Sequence, residues 1–221
     1  MLENENNTLE MSPNQGTSFL LGHEKQIDCL LESIKKSQIP NAWLFHGPMG
    51  VGKASLALNV AKVLSNIDFS NKDYVRRISE KDIRNPQTTI NINNIFYCKR
   101  RWDNKKKHFQ KYISIEDIRE LNRKFSLSSA DNSYKVCIVD TTEDLNLSAS
   151  NSLLKILEEP PKSTLFILVS NNQYSILPTI LSRCQKVGFQ GLNEKDLRDI
   201  CARFTKENQY YQILIFQIRT M

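Results

Sequence analysis

The sequence predicts an α/β fold, a mainly parallel sheet flanked by helices, and three observations carry that prediction. Short apolar runs at 42–45 (AWLF), 136–139 (VCIV) and 165–169 (LFILV) read as strands buried on both faces. Stretches whose apolar residues recur at helical spacing lie between them. A glycine-rich turn at 47–52 joins the first of these strands to the helix that follows. With 221 residues, 40% of them apolar, and only 7 Gly and 7 Pro, the chain suits one globular domain and part of a second.

Residues 1–18 are polar and lack apolar periodicity, so they read as a loose arm. From Glu24 onward Ile27, Leu30, Leu31 and Ile34 fall on one helical face, and Pro40 ends that helix before the strand at 42–45. Beyond the glycine turn, Leu56, Val60, Val63 and Leu64 return at helical spacing. Segment 66–111 is polar and reads as an irregular insertion with one strand at 90–97. Order resumes at Ser114, which caps a helix carrying Ile115, Ile118, Leu121 and Phe125, with Glu116 and Asp117 in its first turn. A strand at 136–140, a helix at 151–159 stopped by Pro160 and Pro161, and a strand at 165–170 complete the alternation. Asn193 caps a further helix bearing Leu197 and Ile200, and the tail at 206–221 is apolar with no visible partner. The domain reading is therefore an arm at 1–18, the α/β domain at 19–190, and the beginning of a helical region at 191–221.

Composition excludes several classes. Mean hydropathy is -0.44, and no apolar stretch approaches the roughly 18 residues that a spanning helix needs. An acidic, polar N-terminus does not resemble a secretory signal, so a cytoplasmic location is expected. Five cysteines, Cys29, Cys98, Cys137, Cys184 and Cys201, are scattered without C-x-x-C spacing, and His23, His46 and His108 share no metal spacing, so no metal site is expected. The net charge of +6 is concentrated at 99–111, where seven Lys and Arg face only Asp103. Such a run is either solvated surface or a contact for phosphates.

The sharpest chemical signal is Gly47-Pro48-Met49-Gly50-Val51-Gly52-Lys53 between a strand and a helix, where backbone N–H groups and the helix dipole can cradle phosphates. Gly47, Gly50 and Gly52 permit close approach, and Lys53 supplies the point charge. The next position should offer a hydroxyl to magnesium, yet it is Ala54, and Ser55 lies about 100° further round the helix. Asp140 ends an apolar strand, where a carboxylate normally serves the metal's water shell, but its neighbour is Thr141 where a water-polarising Glu would stand. Glu143, two residues on, reads as capping or solvating the next turn. ATP bound without hydrolysis and a loop kept only for shape both remain open. Ser170 and Asn171 at a strand end either sense a phosphate or simply start a turn. In Ser182-Arg183-Cys184, Arg183 is a candidate to reach a neighbouring subunit's γ phosphate.

The order GPMGVGK, KVCIVD, NSLLKILEEPP and LPTILSRCQ resembles the bacterial clamp-loader subunits of the AAA+ family over about residues 19–205. The missing hydroxyl and glutamate make the chain similar to the delta prime branch, a largely non-hydrolysing stator, rather than to the ATP-hydrolysing gamma/tau branch. That resemblance implies a phosphate-binding-loop AAA+ domain followed by a helical lid. It also implies partnership with gamma/tau and delta subunits, and with the sliding clamp and primed DNA through the complex. It makes Gly47, Gly50, Gly52, Lys53 and Asp140 a degenerate nucleotide site, and Ser182, Arg183 and Cys184 an interface motif whose arginine acts in trans. Polymerase activity would then belong to the assembly and not to this chain. Because the family pattern continues through a full lid and a helical collar, the sequence ending at Met221 implies an incomplete lid and no collar. An active ATPase subunit and a nonfunctional truncated remnant are the alternatives.

Overall fold

The computed structural model of the chain describes residues 20–86, 94–126 and 133–207. The arm at 1–18, most of the 206–221 tail and the first part of the strand expected at 90–97 lie outside these residues.

Among the described residues the main sheet has five strands: β1 (Ala42–His46), β2 (Ile95–Cys98), β5 (Lys135–Val139), β6 (Thr164–Ser170) and β7 (Gln185–Gly188). Their order across the sheet is β2-β5-β6-β1-β7, and every pairing is parallel. Side chains alternate across the central strands, so both faces need cover. Trp43, Phe45, Ile138, Leu165 and Ile167 pack on one face with α1 (Glu24–Lys35) and α2 (Lys53–Asn66). Leu44, Cys137, Val139, Phe166 and Leu168 pack on the other with α5 (Ile115–Ser126), α6 (Leu147–Glu158) and α7 (Pro178–Leu181). This double burial is why the strand sequences are continuously apolar rather than alternating.

Helix ends follow side-chain chemistry. Asp117 accepts from both the backbone N–H and the hydroxyl of Ser114 at 2.8 Å, closing the reciprocal cap anticipated for α5. Asn146 accepts from Ala149 N at 2.8 Å, which starts α6 four residues ahead of the expected boundary at 151. Asn193 accepts from Asp196 N at 2.8 Å and opens α8 (Glu194–Glu207), as expected.

Segment 66–111 corrects the expectation of an irregular insertion. It holds α3 (Lys72–Arg77), α4 (Glu80–Arg84), the sheet-edge strand β2, and a separate antiparallel hairpin of β3 (Trp102–Asp103) and β4 (His108–Phe109). β2 overlaps the end of the strand expected at 90–97 and is only half buried. Strand β7 was not anticipated. Of its four residues only Val187 is buried, and the strand is held by its ladder to β1 and by Trp43 Nε1 donating to Gln185 Oε1 at 3.3 Å. No helix among the described residues is long and apolar enough to cross a membrane.

Ile167 lies fully buried on the central strand β6, so Ile167→Ala should cost about 2–5 kcal/mol in urea unfolding. Leu147, 68% exposed, should change stability by no more than about 0.5 kcal/mol when made Ala.

Candidate functional site

Parallel pairing brings the carboxyl ends of the strands to one edge. His46 pairs with Ser170 and Val139 with Leu168, so Gly47, Asp140 and Asn171 all leave the sheet on the same side. The glycine turn connects β1 to the N-terminus of α2 there. Gly47 has φ 148°, and a Cβ at this position would sit 2.3 Å from the carbonyl oxygen of Phe189, so no other residue fits. Gly50 and Gly52 also adopt positive φ, 81° and 100°, which curls the backbone into the first turn of α2.

Lys53 is almost fully buried within this turn. Its ammonium donates to the carbonyls of Gly47 (2.8 Å) and Pro48 (2.5 Å) and to Asn171 Oδ1 (3.0 Å). Burial pushes its proton affinity down, while the carboxylates of Glu143 and Asp140 pull it back up. The loop thus holds a cation in place with three neutral acceptors and two nearby negative charges. Asp140 in turn accepts a 2.6 Å hydrogen bond from the Tyr97 hydroxyl on β2, and burial together with that carboxylate raises the phenol's pKa.

Glu143 corrects its reading as a capping or solvating residue. One carboxylate oxygen accepts from Asn171 N at 2.8 Å, and the other is buried with no hydrogen-bond partner. The turn that delivers it begins at Thr141, whose φ of 64° is left-handed, and is tied down by the buried Thr142 hydroxyl donating to Val169 O at 3.0 Å. Ser170 is fully buried and accepts from Asn172 N at 3.0 Å, so its hydroxyl starts the turn, whereas Asn171 reaches the lysine.

A strap over 20–23 covers the loop. His23 Nε2 donates to Val51 O at 2.6 Å, and its ring meets Phe189 edge-on at 5.0 Å. Arg84 on α4 holds the strap by donating to Leu20 O (2.9 Å) and Gly22 O (3.0 Å). Sequence reasoning assigned no role to His23, Tyr97 or Arg84. Each acts over at least 28 residues of separation, which no local pattern registers.

Ser182, Arg183 and Cys184 are not part of this cluster. Gln185 pairs with Trp43, three residues before the loop end of β1, so the tripeptide lies at the opposite edge of the sheet, roughly 10 Å away along the strand. Arg183 is partly exposed, donating to Thr179 O and pairing with Glu158 at 2.8 Å. Cys184 donates its thiol to Ile180 O, and burial pushes its pKa up to about 11, the behaviour of a packing residue. No group of His, Cys, Asp and Glu among the described residues is arranged to hold a metal ion.

Comparison with known proteins completes this picture. The family model described as "DNA polymerase III, delta subunit" matches residues 22–193. "DNA polymerase III subunit delta'" of Bacillus subtilis is 30% identical over 176 residues, covering 77% of this chain and 48% of that protein. "DNA polymerase III subunit tau" of the same organism is 29% identical over 176 residues, covering 80% of this chain and 29% of that one. The chain thus spans less than half the length of either relative. A DNA polymerase III gamma subunit-related protein of Thermotoga maritima superposes with TM-score 0.52 at 22% identity, covering 85% of this chain and 54% of that one. RuvB of Thermotoga maritima superposes with TM-score 0.52 at 17% identity, covering 84% and 51% respectively. These two likenesses show a shared fold, a parallel sheet flanked by helices.

Burial, then the charges of Lys186 and Lys53, hold His46 below the usual imidazole range. The unfolded chain therefore takes up this proton first, and stability present above about pH 6.5 is lost as pH falls through that value. His46→Gln should remove this share, so its melting temperature should drop less than the parent's between about pH 7.5 and about pH 5.5.

Proposed function

Because the chain belongs to the DNA polymerase III delta-subunit family, we propose that it serves as a delta prime-type subunit of a clamp loader, one that supports ATP-driven loading without hydrolysing ATP itself. Near-equal identity to delta prime and tau relatives does not choose between the two types, so the choice rests on side-chain chemistry. The observation that carries it is Ala54, the first residue after Lys53 in α2. A methyl group there cannot coordinate magnesium. Without a metal, the carboxylates of Asp140 and Glu143 oppose an incoming triphosphate, and Lys53 is the cation positioned against both. Thr141 adds a second deficit, since a neutral hydroxyl is a negligible base at neutral pH.

The position of Arg183 supports action in trans. It lies at the end of the sheet away from Gly47–Lys53 and so does not serve its own loop, which supports a role at a site on an adjacent subunit. There it would complete the charge stabilisation of a γ phosphate, a contribution worth about 10³–10⁵ in rate for arginine fingers. To do so it must leave or share Glu158, the partner it holds in the isolated chain. On this reading the neighbours are gamma/tau and delta subunits, and the sliding clamp and primed DNA are met through the complex. The helix α8 would begin a second, helical domain.

A second reading, a subunit that hydrolyses ATP itself, draws on Glu143, whose buried, unpartnered oxygen is a carboxylate beside the loop. One measurement separates the two. The purified chain with magnesium and ATP should show only background turnover, unchanged by Lys53→Ala, whereas a rate that Lys53→Ala or Glu143→Gln abolishes establishes the second reading. In a reconstituted ring, Arg183→Ala should slow ATP hydrolysis while leaving assembly intact, and an unchanged rate would refute the role in trans.

A further inference from the structure

The hairpin β3–β4 uses none of its exposed side chains in the core or in the loop site. Trp102 and Phe109 sit opposite each other in its ladder and meet edge-on with ring centroids 5.0 Å apart, yet each is about half exposed. Tyr112, three residues after Phe109 in the chain, is 46% exposed, with the Lys111 ammonium 5.1 Å from its ring centroid. Large apolar side chains left in water forgo burial worth about 1.5–3 kcal/mol each, so the paired rings, with Tyr112 next along the chain, mark a surface built to be covered.

The charge around them is organised as well. Two arginines root the hairpin: Arg100 pairs with Asp144 at 2.8 Å, and Arg101 pairs with the buried Asp117 and with Glu120. Lys99, Lys105, Lys106, Lys107 and Lys111 are exposed and make no ion pair among the described residues. The one acidic side chain of the hairpin, Asp103, is turned inward on its own tip, where it accepts from Lys105 N and Lys106 N at 3.0 Å each. The tip therefore has a defined shape with its cations directed to solvent.

We propose that this hairpin is a binding site for single-stranded DNA, with Trp102, Phe109 and Tyr112 stacking on bases and the five lysines holding the phosphates. Aromatic faces within a ring of cations are what unpaired bases on a polyanion require. An acidic peptide would pair with the lysines too, but it would seek aliphatic anchors, and the nearby aliphatic residue Ile113 is fully buried. A duplex hides its base faces and would leave the rings uncovered. The choice of DNA over RNA rests on the family membership above. The site itself does not depend on whether this chain hydrolyses ATP.

The full chain can be titrated into fluorescein-labelled dT20, U20 and a duplex of equal length, with anisotropy read at several salt concentrations. Tight binding of dT20 over duplex is expected, with log K falling against log salt at a slope of about -3.5 for five lysines, about 0.7 per phosphate contact. Trp102→Ala should weaken binding about tenfold or more, with Trp102→Phe restoring most of it, and Lys105, Lys106 and Lys107 changed together to Glu should weaken it further. A matched change of Lys25, Lys72 and Lys195 to Glu, elsewhere on the surface, should leave binding within about twofold. Equal loss from that control set, indifference to Trp102→Ala, or equal affinity for duplex would overturn the stacking site. Tighter binding of U20 than of dT20 would overturn the choice of DNA.

Discussion

Parallel backbone pairing of β1 with β6 on one side and β7 on the other is the constraint from which the rest follows. It sends every carboxyl strand end to one edge, which assembles Gly47, Asp140 and Asn171 from parts of the chain that are 93 and 31 residues apart in sequence. The same ladder forces the chain after Asn171 to travel back across the sheet before β7 can begin, and this return places Arg183 at the far edge. One molecule therefore carries its glycine loop at one end of the strands and Arg183 at the other, the separation on which the proposed action in trans relies.

The loop region is held by interactions that do not involve any ligand. Lys53 is hydrogen-bonded to the turn it belongs to, Asp140 is occupied by Tyr97, and the strap over 20–23 is clamped by His23 and Arg84. A buried ammonium with three acceptors and two carboxylates nearby is stable as it stands, and a triphosphate would have to displace some of these partners. Ala54 in the first turn of α2 is a good helix former and burdens no other contact, so the absence of a hydroxyl there costs the fold nothing.

Most of the fold was legible in advance where local pattern and tertiary role agree. The strands at 42–46, 135–139 and 164–170 are apolar because both of their faces are covered, and the capping residues Ser114 and Asn193 do what their types suggest. Strand β7 escaped because an edge strand of four residues with only Val187 buried has neither a sustained alternation nor a continuous apolar run. Glu143 was misjudged for a related reason. Its distance along the chain from Asp140 suggests a departure from the strand end, but the left-handed Thr141 turns the backbone so that the carboxylate comes back to Asn171.

What the sequence by itself determined is the chemistry available: a glycine-lined turn with one lysine, no hydroxyl at 54, no glutamate at 141, and an arginine in an SRC tripeptide. These are properties of residue type and spacing, and they need no fold to be read. The tertiary structure alone decided which of those groups meet. Only strand order tells that Asn171 and Glu143 join Lys53, that Tyr97 takes Asp140, and that Arg183 stands apart, because hydrogen bonds between distant segments depend on register across the sheet and leave no mark on the local sequence.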